Sequence, residues 1–314
     1  MAQRSIVSIK LAMAVLAAVF AVQVYRAAAR PIGTGEAYLY DRFVRPTARQ
    51  VLASELPDRN VLYSLLEKRS VGLFHVSPFS VRLPSLLFAV LYLFVVWRLA
   101  RRLSGWFLAA GALPLFWDWS WRANGTGAAV ALLVCAIWLG IERRNLNLIG
   151  ICLGLSITAQ TGFAIPAVVV ALAILAFWRR WSDWIDRVLI PAVVVALILL
   201  VLPLTHAYTP EERAPELTAT QAAHLQSALQ ALRIGAGSGR IRVGVTAAAE
   251  SVVNFYRAQH RAGNWERARR DDSSEHFDYY LFSAGEAATA EQRHLIVIYR
   301  DADFVVANRS YAAM

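Results

Sequence analysis

Two acidic residues stand close together in Gly33-Thr34-Gly35-Glu36-Ala37-Tyr38-Leu39-Tyr40-Asp41, a segment that follows a long apolar run. Acids beside a membrane surface can take a proton from an acceptor hydroxyl or hold a divalent cation. Glu36 and Asp41 are five residues apart. On an uninterrupted α-helix that spacing sets them roughly 140° apart, so they do not form a tight pair. A solvated loop acid is the plain alternative. Arg59, Lys68, Arg69 and Arg82 follow and could together neutralise a phosphate. Binding of lipid headgroups by juxtamembrane cations is the competing reading. His75 is expected to be a lone interfacial histidine. The six histidines show no His-Glu-x-x-His or i,i+4 spacing, so a zinc site is not expected. Nucleophile elbows and phosphate-binding loops are absent from the sequence as well. The glycines of Gly235-Ala236-Gly237-Ser238-Gly239 precede a strand pattern instead of following one, which makes them a turn or hinge and not a dinucleotide fingerprint.

The elements that must position these residues lie mostly in a membrane. Of 314 residues, 57% are hydrophobic and 17% charged, with a mean hydropathy of +0.44. A soluble domain carries about 25% charge, so an ordinary soluble globule is excluded, as is a disordered chain. The net charge is +10. Lys10 and Lys68 are the only lysines, and the arginines cluster at the ends of apolar runs. That placement fits membrane topology better than nucleic-acid binding, and no nucleic-acid partner is expected. Cys135 and Cys152 lie within apolar runs and read as packing residues.

Seven apolar runs are long enough to consider as spans: 5–25, 81–99, 103–117, 123–141, two within 146–178, and 188–207. The uncharged stretch 146–178 would reach ~50 Å as one helix, too long for a ~30 Å hydrocarbon core. Gln160-Thr161-Gly162 is its natural turn. The first run has a competing reading as a signal peptide ending at Ala27-Ala28-Ala29. With the N-terminus in the cytoplasm, the arginines at 101–102, 143–144 and 179–187 all fall inside, as the positive-inside rule requires. Loop 26–80, turn 118–125 and tail 208–314 are then extracytoplasmic.

The expected fold class is an α-helical polytopic membrane protein of about seven spans, carrying a small extracytoplasmic α/β C-terminal domain. Residues 1–207 form the membrane domain and 208–240 a linker. Leu225, Ala228, Leu229 and Leu232 mark an amphipathic helix in that linker. Residues 241–314 form the α/β domain, with a strand at 241–245, a helix at 247–260, and strands at 279–282, 295–299 and 304–307. Asp301-Ala302-Asp303 is the hairpin turn between the last two. The charge run Arg267, Arg269, Arg270, Asp271, Asp272 reads as a solvated face.

The order of these features resembles the GT-C class of multi-spanning glycosyltransferases, in the branch of protein mannosyltransferases and bacterial enzymes that decorate lipopolysaccharide with sugars. The residues that carry the resemblance begin with the acidic outer loop. They continue through Phe79-Ser80-Val81-Arg82-Leu83-Pro84-Ser85 and Leu99-Ala100-Arg101-Arg102-Leu103-Ser104-Gly105. The turn Trp117-Asp118-Trp119-Ser120-Trp121-Arg122-Ala123-Asn124-Gly125 and, in the tail, Asn254-Phe255-Tyr256-Arg257 and Tyr299-Arg300-Asp301 complete the set. The resemblance implies transfer of a sugar from a polyprenyl-phosphate donor at the outer face of a bacterial inner membrane. Glu36 or Asp41 would be the base, Asp118 a secondary acid, and Arg59, Arg82 and Arg122 would surround the lipid phosphate. A divalent metal ion is the one cofactor left open. Two departures stand out. Family members usually carry an Asp-Glu pair in the first outer loop, with the Asp catalytic, and this chain has Gly35-Glu36. The chain also has fewer spans than family enzymes commonly have. The alternative is therefore a catalytically degenerate member that serves as a scaffold or accessory subunit of a membrane complex. The tryptophans at 117, 119 and 121 fit an interface, a sugar platform or an ordinary aromatic belt. Asn124-Gly125-Thr126 and Asn308-Arg309-Ser310 match the glycosylation pattern, which has no meaning in a bacterial source.

Overall fold

A computed structural model describes residues 2–47, 49–50, 60–100, 120, 122–142, 144–178, 217–235, 239–271 and 276–309. The expected spans 103–117 and 188–207 lie outside the described residues, as do Arg59, Asp118 and the three tryptophans. The elements are α1 (Ala2–Ala29), α2 (Thr34–Leu39), a π-helical turn (Tyr40–Val44), α3 (Val61–Phe74), α4 (Pro78–Ala100), α5 (Thr126–Ile141), α6 (Leu146–Ala159) and, after a 3-10 turn (Thr161–Phe163), α7 (Ala164–Trp178). There follow α8 (Ala219–Gly235), β1 (Val243–Val245), α9 (Glu250–Gln259), β2 (Arg269–Arg270), β3 (Tyr279–Ser283), α10 (Ala287–Gln292), β4 (Ile296–Arg300) and β5 (Phe304–Asn308). The described residues are thus mostly helical, with one small sheet among them. The chain divides into two compact units.

The first unit comprises Met1–Ala29, Phe43–Phe74 and Pro78–Thr209. Its central helix is α4, which packs against α1, α3 and α5. Among the described residues, only the Pro78–Leu99 part of α4 is long and apolar enough by itself to cross a membrane. The helices α5, α6 and α7 are apolar but have only 16, 14 and 15 residues. Helices of that length reach about 21–24 Å, short of a ~30 Å hydrocarbon core. The run 123–141 becomes helical only from Thr126, and the stretch 146–178 breaks at Gln160, whose φ of −157° and ψ of 120° are extended. Among the described residues one full-length span stands by itself; runs 103–117 and 188–207 lie outside them, and α7 is described only as far as Trp178.

Pro84 lies within α4. A proline cannot donate to the carbonyl four residues earlier, here that of Ser80. The Ser70 hydroxyl of α3 donates to that carbonyl at 2.6 Å, so a side chain from the neighbouring helix replaces the missing backbone bond. At the end of the α5–α6 hairpin remote from its connection, Gly125 lies against Ala159. A Cβ there would fall 1.8 Å from the Ala159 carbonyl oxygen, so only glycine permits the approach. Ser156 of α6 donates to the Ala129 carbonyl at 2.8 Å along the same seam. Cys135 and Cys152 are both thiols within this helical packing.

The second unit comprises Arg30–Arg42, His75–Ser77 and Pro210–Met314. Its sheet has the order β2-β1-β3-β5-β4. β1 runs parallel to β2 and β3, whereas β5 is antiparallel to β3 and β4. Helix α8 packs on β4 and β5 and buries Leu225, Ala228, Leu229 and Leu232, the positions whose spacing marks it in the sequence. The Asp301–Asp303 turn joins β4 to β5 as expected. The expected helix 247–260 starts at Glu250 instead, and β2 is an added strand within the charge run.

Candidate functional site

Glu36 and Asp41 both belong to the second unit. Gly33 caps α2, and its amide donates to Glu36 Oε2 at 3.0 Å. An acid in the first helical turn is favoured by the exposed amides and dipole there. Glu36 is 9% exposed and therefore faces inward, on a helix that packs against α9. Its neighbour Gly35 is exposed, because successive helical residues point about 100° apart. Beyond Leu39 the helix widens into the π turn that carries Asp41. The angular separation expected of a continuous α-helix therefore does not apply to this pair. Asp41 is 8% exposed, and its Oδ2 accepts from Arg267 Nη2 at 2.5 Å.

The tail residues that hold this segment are those of the quoted Asn254-Phe255-Tyr256-Arg257 stretch. The Asn254 side chain is buried and bonds the Ala268 backbone both ways. It accepts from the amide at 3.0 Å and donates to the carbonyl at 3.2 Å. This fixes residue 268 and, with it, the adjoining Arg267. Phe255 meets Tyr40 edge-to-face at 5.2 Å, and Arg257 Nε donates to the Trp265 carbonyl at 2.6 Å. Thr34 Oγ1 accepts from the Leu217 amide at 3.0 Å. The charge run is therefore not simply a solvated face. Arg267 engages Asp41, Arg270 meets Glu250 at 3.1 Å, and Asp271 meets Arg293 at 2.7 Å. Local sequence marks Arg267 only by its place beside a buried alanine in a short strand-like alternation.

His75, at φ 63°, lies 3.3 Å from an Arg261 guanidinium nitrogen. It is thus an exposed residue in a polar contact.

The first unit holds the remaining described candidates. Arg82 of α4 has no exposed surface, and its Nη1 donates to the Ala27 carbonyl of α1 at 3.0 Å. One turn on, the Ser85 hydroxyl lies 2.9 Å from the Tyr63 hydroxyl and 2.6 Å from the Arg122 carbonyl. Ser85 thus ties the turn carrying Arg122 to the helix carrying Arg82. The Arg122 side chain is exposed. Lys68 Nζ donates to the carbonyls of Val44, at 2.8 Å, and Pro46, which occupies a cation the sequence offered for phosphate. Two buried polar residues of this unit escape the sequence reading. Glu67 is 1% exposed on the α3 face shared with Tyr63 and Ser70. Gln23 of α1 is fully buried, with neither amide atom hydrogen-bonded among the described residues. Buried polar groups within apolar helices are the usual mark of a functional or register-setting position. Their one sequence signal is a polar residue inside an apolar run. No group of three potential metal ligands occurs among the described residues.

No protein-family model matches the chain, and no curated protein matches it. Among solved structures it is similar to the crystal structure of ArnT from Cupriavidus metallidurans bound to undecaprenyl phosphate. The identity is 18%, over 62% of this chain and 40% of that one, with a TM-score of 0.42. The match spans well under half of that protein's length, and a likeness of this depth assigns no activity.

Proposed function

We propose that this chain is a membrane glycosyltransferase of GT-C type that moves a sugar from a polyprenyl-phosphate donor to an extracytoplasmic acceptor. The observation that carries the reading is the buried Glu36 carboxylate, held in one orientation by the Gly33 amide, in the segment whose residue order resembles that family. Glu36 is the base. As the acceptor oxygen attacks the anomeric carbon, its proton passes to Glu36 and the bond from that carbon to the phosphate oxygen breaks. The lipid phosphate leaves with the electron pair, and configuration at the carbon inverts. Pre-oriented groups of this kind lower a barrier because no reorganisation is needed during the step. Asp41 is paired with Arg267 and keeps the segment in place. Arg122, exposed at its turn, and Arg59 bind the phosphate. Arg82, fully buried on the Ala27 carbonyl, is a positioning residue, and Asp118 is a second acid.

Segments Arg30–Arg42, His75–Ser77 and Pro210–Met314 share one compact unit. A single folded unit occupies one side of a bilayer, so this supports an even number of crossings between residues 77 and 210. Six apolar runs lie in that interval. With the N-terminus inside, the shared unit is extracytoplasmic in a bacterial inner membrane.

One observation favours a second reading. Glu36 and Asp41 already hold structural contacts, as a helix cap and an ion-pair partner, which also suits a degenerate member acting as a complex subunit. The full chain purified into nanodiscs and offered a panel of polyprenyl-phosphate sugars decides between them. Turnover by the solitary chain is expected. Absence of turnover, together with a stoichiometric set of co-purifying partners, contradicts the enzyme.

A further inference from the structure

The outer edge of the tail's sheet is β4, since the order ends there. Soluble proteins usually guard such an edge with charge. Here Ile296, Val297 and Ile298 are 52%, 43% and 38% exposed. At the end of α8, Ile234 is 77% exposed. Ile298 joins Ile234 in one patch, because a Cβ on Gly235 would lie 3.3 Å from the Ile298 Cδ1 atom. Ile296, opposite Asn308, lies on that face too, whereas Val297, opposite Ala307, turns to the other face of the same edge.

The arginines around this patch differ from the others of the unit. Arg233 adjoins Ile234, Arg300 ends β4, and Arg309 follows Asn308, the residue paired with Ile296. All three are exposed, and none makes a side-chain hydrogen bond or ion pair among the described residues. Elsewhere in the tail, arginines are engaged. Arg240 meets Glu266 at 2.8 Å, and Arg242, Arg257, Arg261, Arg267, Arg269, Arg270 and Arg293 also hold partners. Three acids adjoin the patch and all are engaged: Asp301 and Asp303 by Tyr299, backbone amides and His224, and Asp278, whose carbonyl accepts from the Arg309 amide, by Arg242.

We infer that the Ile234, Ile296 and Ile298 patch, with Arg233, Arg300 and Arg309 along the same sheet edge, docks on the surface of an anionic phospholipid bilayer. Exposed aliphatic side chains enter the interface, and unpaired guanidinium groups meet lipid phosphates there. A protein partner would be expected to supply carboxylates to an equally specific arginine set. A second copy would instead bring the same three cations into opposition, which disfavours edge-to-edge pairing. The inference is independent of whether the chain transfers a sugar.

The test uses the full chain in nanodiscs of phosphatidylglycerol or phosphatidylcholine that also contain headgroup-proximal spin-labelled lipid. An Ile296→Cys variant carries an environment-sensitive fluorophore. A Gly263→Cys variant, exposed between α9 and β2, serves as the control, and the wild-type chain labelled in parallel gives the background from Cys135 and Cys152. Quenching at 296 is expected to be several-fold stronger than at 263 in phosphatidylglycerol, and weaker in phosphatidylcholine. Changing Arg233, Arg300 and Arg309 together to glutamine should abolish that lipid preference. Equal quenching at the two positions would overturn the inference, as would efficient disulfide formation between the 296 positions of two copies.

Discussion

Arg267 and Asp41, 226 residues apart in the chain, meet through a 2.5 Å contact between Nη2 and Oδ2. The carboxylate is nearly buried and the guanidinium half exposed, at 8% and 50%. The pair fastens the acidic segment after α1 to the C-terminal α/β fold, within one unit. Removing Arg267 strands a buried carboxylate, which is the more damaging half of such a pair to lose. Arg267→Ala is expected to lower stability by about 1–3 kcal/mol, discounted for the exposed partner. Asp41→Asn should lose less. A double-mutant cycle on the melting of the full chain in detergent should show coupling between the two sites, and purely additive effects would contradict the assignment.

Asn254→Ala removes both side-chain bonds to the Ala268 backbone and leaves a buried amide and carbonyl without them. A loss of about 1–3 kcal/mol is expected. Hydrogen exchange should rise at Ala268 and at its neighbours in β2, whereas β4 and β5 stay protected. Unchanged exchange at Ala268 would show that the side chain does not hold that strand.

Gly125→Ala is expected to separate α5 from α6, since its Cβ would overlap the Ala159 carbonyl oxygen. Backbone cannot yield as a side-chain tip can, so a loss at the upper end of about 1–3 kcal/mol or beyond follows. Gly162→Ala meets nothing within 4 Å and is the matched control, expected to be neutral. Thermal melting of the two variants checks the contrast.

Much of the architecture is legible in the sequence because it follows from local periodicity or chain punctuation. Gln160-Thr161-Gly162 predicts the break between α6 and α7. The spacing of Leu225, Leu229 and Leu232 predicts α8, and Asp301-Ala302-Asp303 predicts the last hairpin. The Arg267 to Asp41 contact is not legible, since pairing across 226 residues leaves no local signature. The π turn at Tyr40–Val44 and the two-residue β2 are also too short to impose a period. Arg82 reads as a phosphate ligand from its charge alone. Its complete burial and its bond to Ala27 emerge only once α1 lies against α4.

The β4–β5 turn should respond to acid. Burial pushes the Asp301 carboxyl up, but hydrogen bonds from the Phe304 and Asp303 amides and the Tyr299 hydroxyl outweigh it and hold the carboxyl below its ordinary range. A depressed folded value means that these bonds add stability above the unfolded value, near ~3.9. That stability is lost as pH falls through the folded value. Protection factors of the Asp303 and Phe304 amides should therefore drop below about pH 4. Asp301→Asn should flatten this dependence, and a wild-type profile already flat in that window would contradict the assignment.

Gly35→Asp places a carboxylate on the exposed side of the first turn of α2, beside the inward-facing Glu36. The helix N-terminus favours the charge, and replacing glycine favours the helix, so stability should rise by about 0.3–1 kcal/mol. If Glu36 is the base, transfer by this variant stays within a few-fold of wild type. Activity appearing only in Gly35→Asp would mean that the natural chain lacks its catalytic acid.

The central claim is that Glu36 accepts the proton of the acceptor hydroxyl. Its most direct test is the rate of sugar transfer from a polyprenyl-phosphate donor by the purified Glu36→Gln chain, alongside wild type. Glutamine keeps an oxygen able to accept from the Gly33 amide, so the fold and melting should persist. Transfer is expected to be lost from the variant and present in wild type. Transfer by Glu36→Gln at the wild-type rate would remove Glu36 from the chemistry and contradict the account.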